Sequence, residues 1–263
     1  MRIIIHFILL FFIVSSGGCV GLHQDKDTLF QVSTINALLN GAYHGSLAIG
    51  TLKRHGTFGI GTFDGLDGEM IGVDGRFYQI KADGVAYRVP NSMTTPFAMV
   101  TPFETDKTWS LPSEMDYERL TVYLDGLLPD KGIFYAVKIT GTFPYIKSRS
   151  VPRQKEPYPP LIEAVKGQTI FEFHDIKGTI VGFRCPDSVK GGINVSGYHF
   201  HFLTADNKAG GHLLACQLRA ATIAIDFTTK FHLVLPEQDS SAPPSAAARD
   251  TLRDRAEELK KVE

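Results

Sequence analysis

The alternation of apolar and polar residues predicts the first elements of the chain. Between residues 29 and 39, apolar residues recur at helical spacing, and Gly41 offers a stop. A first helix is therefore predicted there. From residue 46 to residue 90 the pattern changes to short β-prone runs, separated by His-Gly or Asp-Gly pairs that are typical of tight turns. This second stretch is predicted to form a meander of hairpins.

A second helix and two strands are predicted in the middle of the chain. Ser113 is a suitable N-cap for a helix that ends at about Leu128, because acidic residues favour its first turn and leucines form an apolar stripe. Strands are expected over residues 133–142 and 169–183. The loop over residues 149–160 contains four prolines, which prevent regular sheet pairing and stiffen the backbone. We expect this rigid loop to hold a functional side chain.

Together these elements predict an α+β fold that is rich in mixed or antiparallel β-sheet and has few helices. A chain of 263 residues suits one large domain or two small intertwined ones. We assign residues 25–237 to the folded domain, as two intertwined halves over 25–130 and 131–237. Residues 238–263 form a Ser/Ala/Pro-rich linker and a charged, helix-prone tail, which we place outside the folded core.

The first 24 residues have the pattern of an export signal. Arg2 precedes an apolar run over residues 3–14 that is interrupted only by His6. This run is too short to cross a bilayer as a helix of the mature protein, but it fits a secretory signal. Small residues before Cys19 resemble a bacterial lipoprotein cleavage site, so we expect a periplasmic protein or one anchored to a membrane through lipid on Cys19. Ordinary signal cleavage, or a cytoplasmic protein with an uncleaved start, is the alternative.

Composition excludes one class of partner. Hydrophobic residues make up 43% of the chain, aromatic residues 11%, and the net charge is -1, which describes an ordinary globular protein. No basic excess is present to attract nucleic acid, so we expect no nucleic-acid partner. If Cys19 carries lipid, Cys185 and Cys216 are left to form a disulfide or to remain buried thiols.

Three histidines in the last third of the chain are the strongest candidates for chemistry. His199 and His201 are two residues apart, so both imidazoles project from the same face of a strand, and His212 follows a Gly-rich turn signal. A hairpin would bring all three together. Three neutral imidazoles leave a bound dication with a free coordination position, as in catalytic zinc sites. The spacing is equally compatible with three unrelated histidines, and we interpret the nearby Cys216 as a core residue rather than a fourth ligand.

Several motifs, in the same order, resemble the α-acetolactate decarboxylase family over about residues 29–237. They are the segments Val32–Leu39, Gly61–Met70, Arg149–Pro152, and Gly191–Phe202 with Gly210–His212. The resemblance implies a zinc-dependent enzyme, commonly a homodimer, that converts (S)-2-acetolactate to (R)-acetoin and carbon dioxide.

The resemblance also implies which residues form the active site. It makes the three histidines the zinc ligands and matches four further residues to catalytic positions, namely Arg149, Glu69, Thr62 and, near the C-terminus, Glu237. Without the resemblance, Arg149 would be interpreted as a surface ion-pair residue, with Arg153 as a nearby competitor for the role. Glu69 would be interpreted as a solvated turn residue, which a glutamate in such a place usually is.

The expected chemistry explains why these residue types are needed. Loss of carbon dioxide leaves an electron pair, which the neighbouring ketone of acetolactate can accept as an enediolate. A dication can polarise that ketone and stabilise the negative oxygen. Arg149 suits the binding of the substrate anion, and Glu69 can supply or relay the proton that fixes the handedness of the product. Thr62 is expected to form a hydrogen bond with substrate or water.

Two other functions fit parts of the pattern. In cupin-like oxygenases His-x-His on a strand binds iron, but a glutamate is expected a few residues later, where this chain has only Asp206. A lipid-anchored binding module that has lost its activity is the second alternative. The presence of the three histidines together with Arg149 and Glu69 argues against such a loss.

Overall fold

The computed structural model describes residues 25–236, so Cys19, Glu237 and the predicted tail lie outside the described residues. Within this range the helices are α1 (Ile35–Leu39), α2 (Ile49–Leu52), α3 (Tyr117–Leu127) and α4 (Leu161–Ala164). The strands are β1 (Thr28–Val32), β2 (Leu47–Ala48), β3 (Phe58–Thr62), β4 (Glu69–Val73), β5 (Arg76–Ile80), β6 (Ala86–Arg88), β7 (Thr94–Thr95), β8 (Ala98–Thr101), β9 (Lys107–Ser110), β10 (Met115–Asp116), β11 (Phe134–Ser150), β12 (Thr169–Cys185), β13 (Gly197–Thr204), β14 (Gly210–Leu218), β15 (Ala220–Thr228) and β16 (Lys230–Val234).

The first sheet has seven strands in the order β16-β1-β8-β3-β4-β5-β6. Strands β3 to β6 pair antiparallel with their sequence neighbours, which is the meander that the turn signals predict. At the β4–β5 turn, Asp74 and Gly75 have φ angles of 49° and 75°. Both angles lie in the left-handed region, as an Asp-Gly hairpin turn requires.

The predicted first helix is wrong over its first half. Residues Thr28–Val32 form β1, which pairs parallel with β16 and antiparallel with β8. Ser33 then has a φ of 61°, which breaks the strand, and Thr34 caps α1 by accepting a hydrogen bond from the Ala37 N–H. An apolar run this short fits either a strand or a helix, and pairing with two distant strands decides its first part.

The second sheet closes on itself. Its order is β10-β14-β13-β12-β11-β15-β9, and β14 also pairs with β11. Strands β11, β12, β13 and β14 therefore form a hydrogen-bonded ring. Strand β11 pairs with β14 through its C-terminal part, whereas its N-terminal part, residues 134–142, pairs with β15. Each sheet takes strands from both predicted halves, since β16 joins the first sheet, whereas β9 and β10 join the second. The predicted boundaries of the domain and its halves stay predictions.

The two sheets pack face to face around the largest hydrophobic core. Ile60 and Ile71 of the first sheet meet Val181, Phe183 and Leu203 of the second in this core. The opposite face of the ring strands forms another core, which includes α3. Because side chains alternate along a strand, β11, β12 and β13 each contribute to both cores, whereas the buried apolar residues of β14 belong to the second core. Polar residues that share the alternation of the first core therefore point into the space between the sheets.

Two further elements differ from their predictions in detail. Helix α3 begins later than predicted, because Asp116 rather than Ser113 accepts the capping hydrogen bond from Arg119 N. Strand β11 continues through Ser150, so Arg149 lies on a strand and not in the proline-rich loop. In the described range, no helix combines the length and the hydropathy that crossing a membrane requires.

Candidate metal centre

The three histidines meet on the β13–β14 hairpin. His201 and His212 are directly opposite each other across the two strands, and His199 lies two residues before His201 on the same face. Their ring centroids are 4.9 to 5.2 Å apart. One nitrogen of each ring lies within 4.8 Å of the nitrogens of the other two. The predicted convergence of the three imidazoles is therefore present in the structure.

Glycines and a local turn bring β14 close to its neighbours. Gly211 has a φ of 143°, and a Cβ at this residue would lie 2.5 Å from the Arg149 carbonyl oxygen. Within the turn, the Thr204 hydroxyl donates to Asp206 Oδ1 at 2.6 Å and accepts from Ala209 N at 3.1 Å. A residue with a side chain at 211 would push β14 away from β11, and His212 would move with it.

The position of His201 is fixed by the first sheet. Its Nδ1 lies 2.8 Å from the Met70 carbonyl oxygen on β4. Because a carbonyl only accepts, Nδ1 carries the proton and Nε2 has the free lone pair. Nε2 is buried and has no hydrogen-bond partner in the described part of the chain. A buried lone pair without a donor is costly, so this atom fits the role of a metal ligand.

Burial keeps two of the imidazoles neutral. The pKa of His201 is lowered well below its usual value by loss of solvation, and next by the positive charge that His212 and His199 acquire on protonation. Burial also lowers the pKa of His212 well below its usual value, with Arg149 as the second cause. Neutral imidazoles are the form that binds a metal.

The nitrogen separation also fits a metal site. His199 Nε2 and His212 Nδ1 are 3.2 Å apart. With metal–nitrogen distances of about 2.0–2.1 Å in a tetrahedral site, two ligand nitrogens are separated by about 3.3 Å. Three ring nitrogens within 4.8 Å of one another, one of them buried without a donor, match the donor set expected for a divalent metal.

One acidic and one basic side chain, Glu69 and Arg149, complete the buried centre. Glu69 begins β4 and faces the space between the sheets, like Ile71 on the same strand. Arg149 on β11 is directly opposite His212. Arg149 Nη1 donates to Glu69 Oε1 at 3.2 Å, and both side chains are only 10% exposed. Glu69 Oε2 lies 3.7 Å from His201 Nε2, so the carboxylate links the guanidinium to the histidines.

Thr62 lies next to Glu69 but its hydroxyl is already engaged. The two residues are paired across β3 and β4. The buried Thr62 hydroxyl donates its proton to the Gly68 carbonyl oxygen at 2.7 Å, which holds the turn that precedes Glu69. Its oxygen therefore has only lone pairs left to offer a ligand.

The structure separates the two candidate arginines. Arg149 is buried against Glu69, whereas the Arg153 side chain is 54% exposed and pairs with Asp64. Arg149 is therefore not the surface ion-pair residue that its sequence context alone suggests. Glu237, the predicted second glutamate, lies outside the described residues.

Sequence reasoning missed two features of the centre. The Met70 carbonyl orients His201, and no side-chain pattern identifies such a backbone contact. The second feature is a bulge opposite Lys147 and Ser148, which shifts the register of β14. It turns Cys216 into the core on the far side of the ring from His212, although an even spacing in a regular strand would place both on one face. Cys216 is thus a core residue, and both it and Cys185 are buried free thiols.

Comparison with known proteins agrees with this architecture. The family model described as alpha-acetolactate decarboxylase matches residues 29–242, which is most of the chain. The chain belongs to the alpha-acetolactate decarboxylase family. The resemblance found in the sequence motifs is thereby confirmed, as is the expectation that the chain is a decarboxylase rather than a cupin-like oxygenase.

Individual relatives cover the folded part at substantial identity. An alpha-acetolactate decarboxylase of Methanosarcina mazei is 53% identical over 80% of this chain and 73% of its own length. One of Methylococcus capsulatus is 46% identical over 82% of each chain. The crystal structure of the Bacillus subtilis strain 168 protein is 40% identical, covers 81% of this chain and 90% of its own, and has a TM-score of 0.79. The predicted sheet-rich α+β fold is confirmed.

Proposed function

We propose that this protein converts (S)-2-acetolactate to (R)-acetoin and carbon dioxide with the help of Zn²⁺ bound by His199, His201 and His212. The observation that carries the proposal is the placement of the buried Arg149–Glu69 pair against the three histidines, between the two sheets. Family membership supplies the substrate, since the relatives are named for acetolactate decarboxylation.

The histidines prepare the centre for a cation. His201 offers Nε2 because the Met70 carbonyl holds the proton on Nδ1, and burial keeps His201 and His212 neutral. When bound, a zinc ion would supply a Lewis acid for the ketone and hydroxyl oxygens of the substrate. The three ligands are neutral, so they would leave its positive charge available to the substrate.

Arg149 binds the substrate anion in this proposal. A guanidinium carries a positive charge and presents several N–H donors in one plane, a geometry that matches a carboxylate. Only one of its donors is needed for Glu69. Burial strengthens the attraction to an incoming anion, because little water competes for the charge.

In the proposed reaction, Glu69 delivers the proton that the product gains. One of its oxygens is held by Arg149 and the other faces His201, so the carboxyl group has a fixed orientation beside the histidines. A carboxyl group held on one side of the substrate would deliver a proton to one face only, which would give a single product enantiomer. Thr62, whose proton is committed to Gly68, would accept a hydrogen bond from the substrate hydroxyl. Glu237 stays a predicted catalytic residue.

One purified sample tests the proposal against its alternatives. The full chain, loaded with zinc, is incubated with racemic 2-acetolactate, and metal content, acetoin release and product chirality are measured together. About one zinc per chain with release of (R)-acetoin supports the proposed function. Full zinc content without acetoin release would instead indicate the binding-module alternative. A purified chain that retains no metal would contradict the proposed metal centre.

Export, lipid anchoring and dimer formation are further proposals. They are supported by the signal-like pattern of residues 1–24, by the small residues before Cys19 and by the family resemblance. If Cys19 carries lipid, Cys19→Ala moves the protein from the membrane fraction to the soluble fraction. An unchanged distribution contradicts the anchor. Light scattering of the purified chain tests the homodimer, with the monomer mass as the contrary result.

A further inference from the structure

A network of hydrogen bonds joins the two sheets close to the Arg149–Glu69 pair. Asp64 lies in the turn between β3 and β4, shortly before Glu69, and Arg153 follows Arg149 in the loop after β11. Arg153 Nη2 donates to Asp64 Oδ2 at 2.6 Å, and its Nη1 donates to the Asp64 carbonyl oxygen at 2.9 Å. A single planar guanidinium thus binds the side chain and the backbone of one turn residue.

Backbone hydrogen bonds run beside this ion pair. Gln154 N donates to the Gly65 carbonyl oxygen at 2.8 Å, and Gly68 N donates to the Val151 carbonyl oxygen at 3.0 Å. The turn over residues 64–68 and the loop over residues 151–154 are therefore joined at both ends. The turn directly precedes Glu69, and the loop begins two residues after Arg149.

The same turn is held from its other side by the segment before β2 and by the first sheet. Asp64 Oδ1 accepts from Gly45 N at 3.0 Å, and Gln79 Nε2 donates to the Asp67 carbonyl oxygen at 2.6 Å. Lys81 Nζ lies 3.3 Å from Asp67 Oδ2. Arg153 adds to these a side-chain contact from the loop that follows β11 of the second sheet. Its loss would leave the turn attached mainly to the sheet that carries Glu69, and less firmly to the strand that carries Arg149.

We propose that Arg153 and Asp64 are positioning residues for the decarboxylation, because their ion pair sets the separation of Glu69 from Arg149 across the two sheets. The inference rests on the proposed function. A displacement of about 1 Å in a reacting group is enough to slow an enzyme strongly, so a clamp that touches no substrate can control the rate.

Melting temperature and kcat, measured together, distinguish a positioning role of this ion pair from a purely structural one. The side chains of Arg153 and Asp64 are 54% and 34% exposed, and exposed ion pairs contribute little to the free energy of unfolding. The melting temperature should therefore change little when the pair is broken, whereas kcat should fall. A decrease in kcat without a decrease in stability or metal content separates positioning from stabilisation.

The test uses Arg153→Ala, Arg153→Lys and Asp64→Asn in the full, zinc-loaded chain. We expect Arg153→Ala to lower kcat about tenfold, with full zinc content and a nearly unchanged melting temperature. Arg153→Lys should lose less, because an ammonium group reaches the carboxylate or the carbonyl but lacks the planar fork that binds both. The matched control is Arg219→Ala. Arg219 is also 54% exposed and pairs with Glu114 at 2.8 Å, and its replacement should leave kcat unchanged.

A double-mutant cycle tests whether Arg153 acts through Glu69. In a Glu69→Gln background, Arg153→Ala should cause little further loss of kcat. Wild-type kcat in Arg153→Ala, an equal loss in Arg219→Ala, or a full tenfold loss on top of Glu69→Gln would overturn the inference. So would a loss of kcat that follows a large drop in melting temperature. If the zinc-loaded wild-type chain releases no acetoin, the proposed function itself fails, and the inference fails with it.

Discussion

Arg149 Nη1 donates to Glu69 Oε1 at 3.2 Å, although the two residues are 80 positions apart and belong to different sheets. The pair predicts that Arg149→Lys retains the fold and about one zinc per chain but loses on the order of a hundredfold in kcat. Lysine keeps the charge, but it cannot bind a carboxylate and Glu69 in one plane. Zinc content and kcat on the same sample provide the measurement.

The control for this variant is Arg88→Lys on the exposed edge strand β6, which should behave like the wild type. A loss of zinc from Arg149→Lys would indicate that the arginine supports the metal centre rather than the substrate. Equal rates for both variants would exclude Arg149 from the mechanism.

The variant Glu69→Gln tests whether Glu69 delivers the proton to the product. The amide keeps an acceptor for Arg149 but cannot deliver a proton, so the reaction should slow or the enantiomeric purity of acetoin should fall. Chiral analysis of the product reports the second effect even where the rate changes little. Wild-type rate together with wild-type purity would show that another group delivers the proton.

Removal of the metal should lower stability. A ligand that binds only the folded state at one hundred times its Kd adds about 2.7 kcal/mol to the free energy of unfolding. For a domain of this size that corresponds to about 5–11 °C in melting temperature. The shift should disappear on chelation of zinc and in His201→Ala, which removes one of three ligands. His174→Ala, which changes an exposed histidine on β12, should keep the shift; a zinc-dependent shift in His201→Ala would contradict the assignment of the site.

The histidine hairpin could be predicted because its signals are local. The two-residue spacing of His199 and His201 and the Gly-rich turn before His212 specify a hairpin by themselves. The contact of Glu69 with Arg149 has no such signal, since it depends on how one sheet packs on the other. Only the family resemblance pointed to this pair.

The first strand illustrates the same limit for the fold. The residues of β1 match helical spacing, and their assignment as a strand depends on β16 at the other end of the described chain. The bulge opposite Lys147 and Ser148 is a second case, because an even spacing in the sequence does not reveal where a strand changes register. Periodicity predicts elements, whereas long-range pairing decides between close alternatives.

Asp226 predicts a pH dependence of stability. Burial, reinforced by the carboxylates of Asp106, Asp27 and Glu104, raises the pKa of Asp226 to about 7, against the opposing effect of a hydrogen bond from Glu104 N. In the unfolded chain an aspartate titrates near 3.9. Between about pH 4 and pH 7 the folded protein therefore holds a proton that the unfolded chain releases. The contribution of Asp226 to the free energy of unfolding therefore falls as the pH rises through that window, and it changes no further above about pH 7.

Asp226→Asn should remove this dependence. The amide oxygen still accepts from Glu104 N but carries no charge. The variant should thus gain melting temperature relative to the wild type at pH 8, and the gain should shrink at pH 5. Thermal unfolding of zinc-saturated samples at both values checks the result. A difference that is the same at both values would mean that Asp226 does not titrate in this range.

Gly182 is predicted to control the position of the histidine strand. It lies on β12 opposite Phe200, and a Cβ there would overlap the His199 carbonyl oxygen and lie 2.7 Å from Phe200 Cδ1. Because the backbone of β13 is held on both sides, Gly182→Ala should cost about 1–3 kcal/mol and displace His199 and His201. We expect a lower melting temperature together with weaker zinc binding.

The matched control is Gly126→Ala in α3, where a new Cβ meets nothing within 4 Å. Since alanine favours a helix over glycine by up to about 1 kcal/mol, this variant should be neutral or slightly more stable, with unchanged zinc affinity. Zinc titration and thermal unfolding of both variants provide the comparison. If Gly182→Ala binds zinc as tightly as Gly126→Ala, the close approach of β12 to β13 does not set the ligand geometry, and the Met70 contact to His201 becomes the main restraint on the centre.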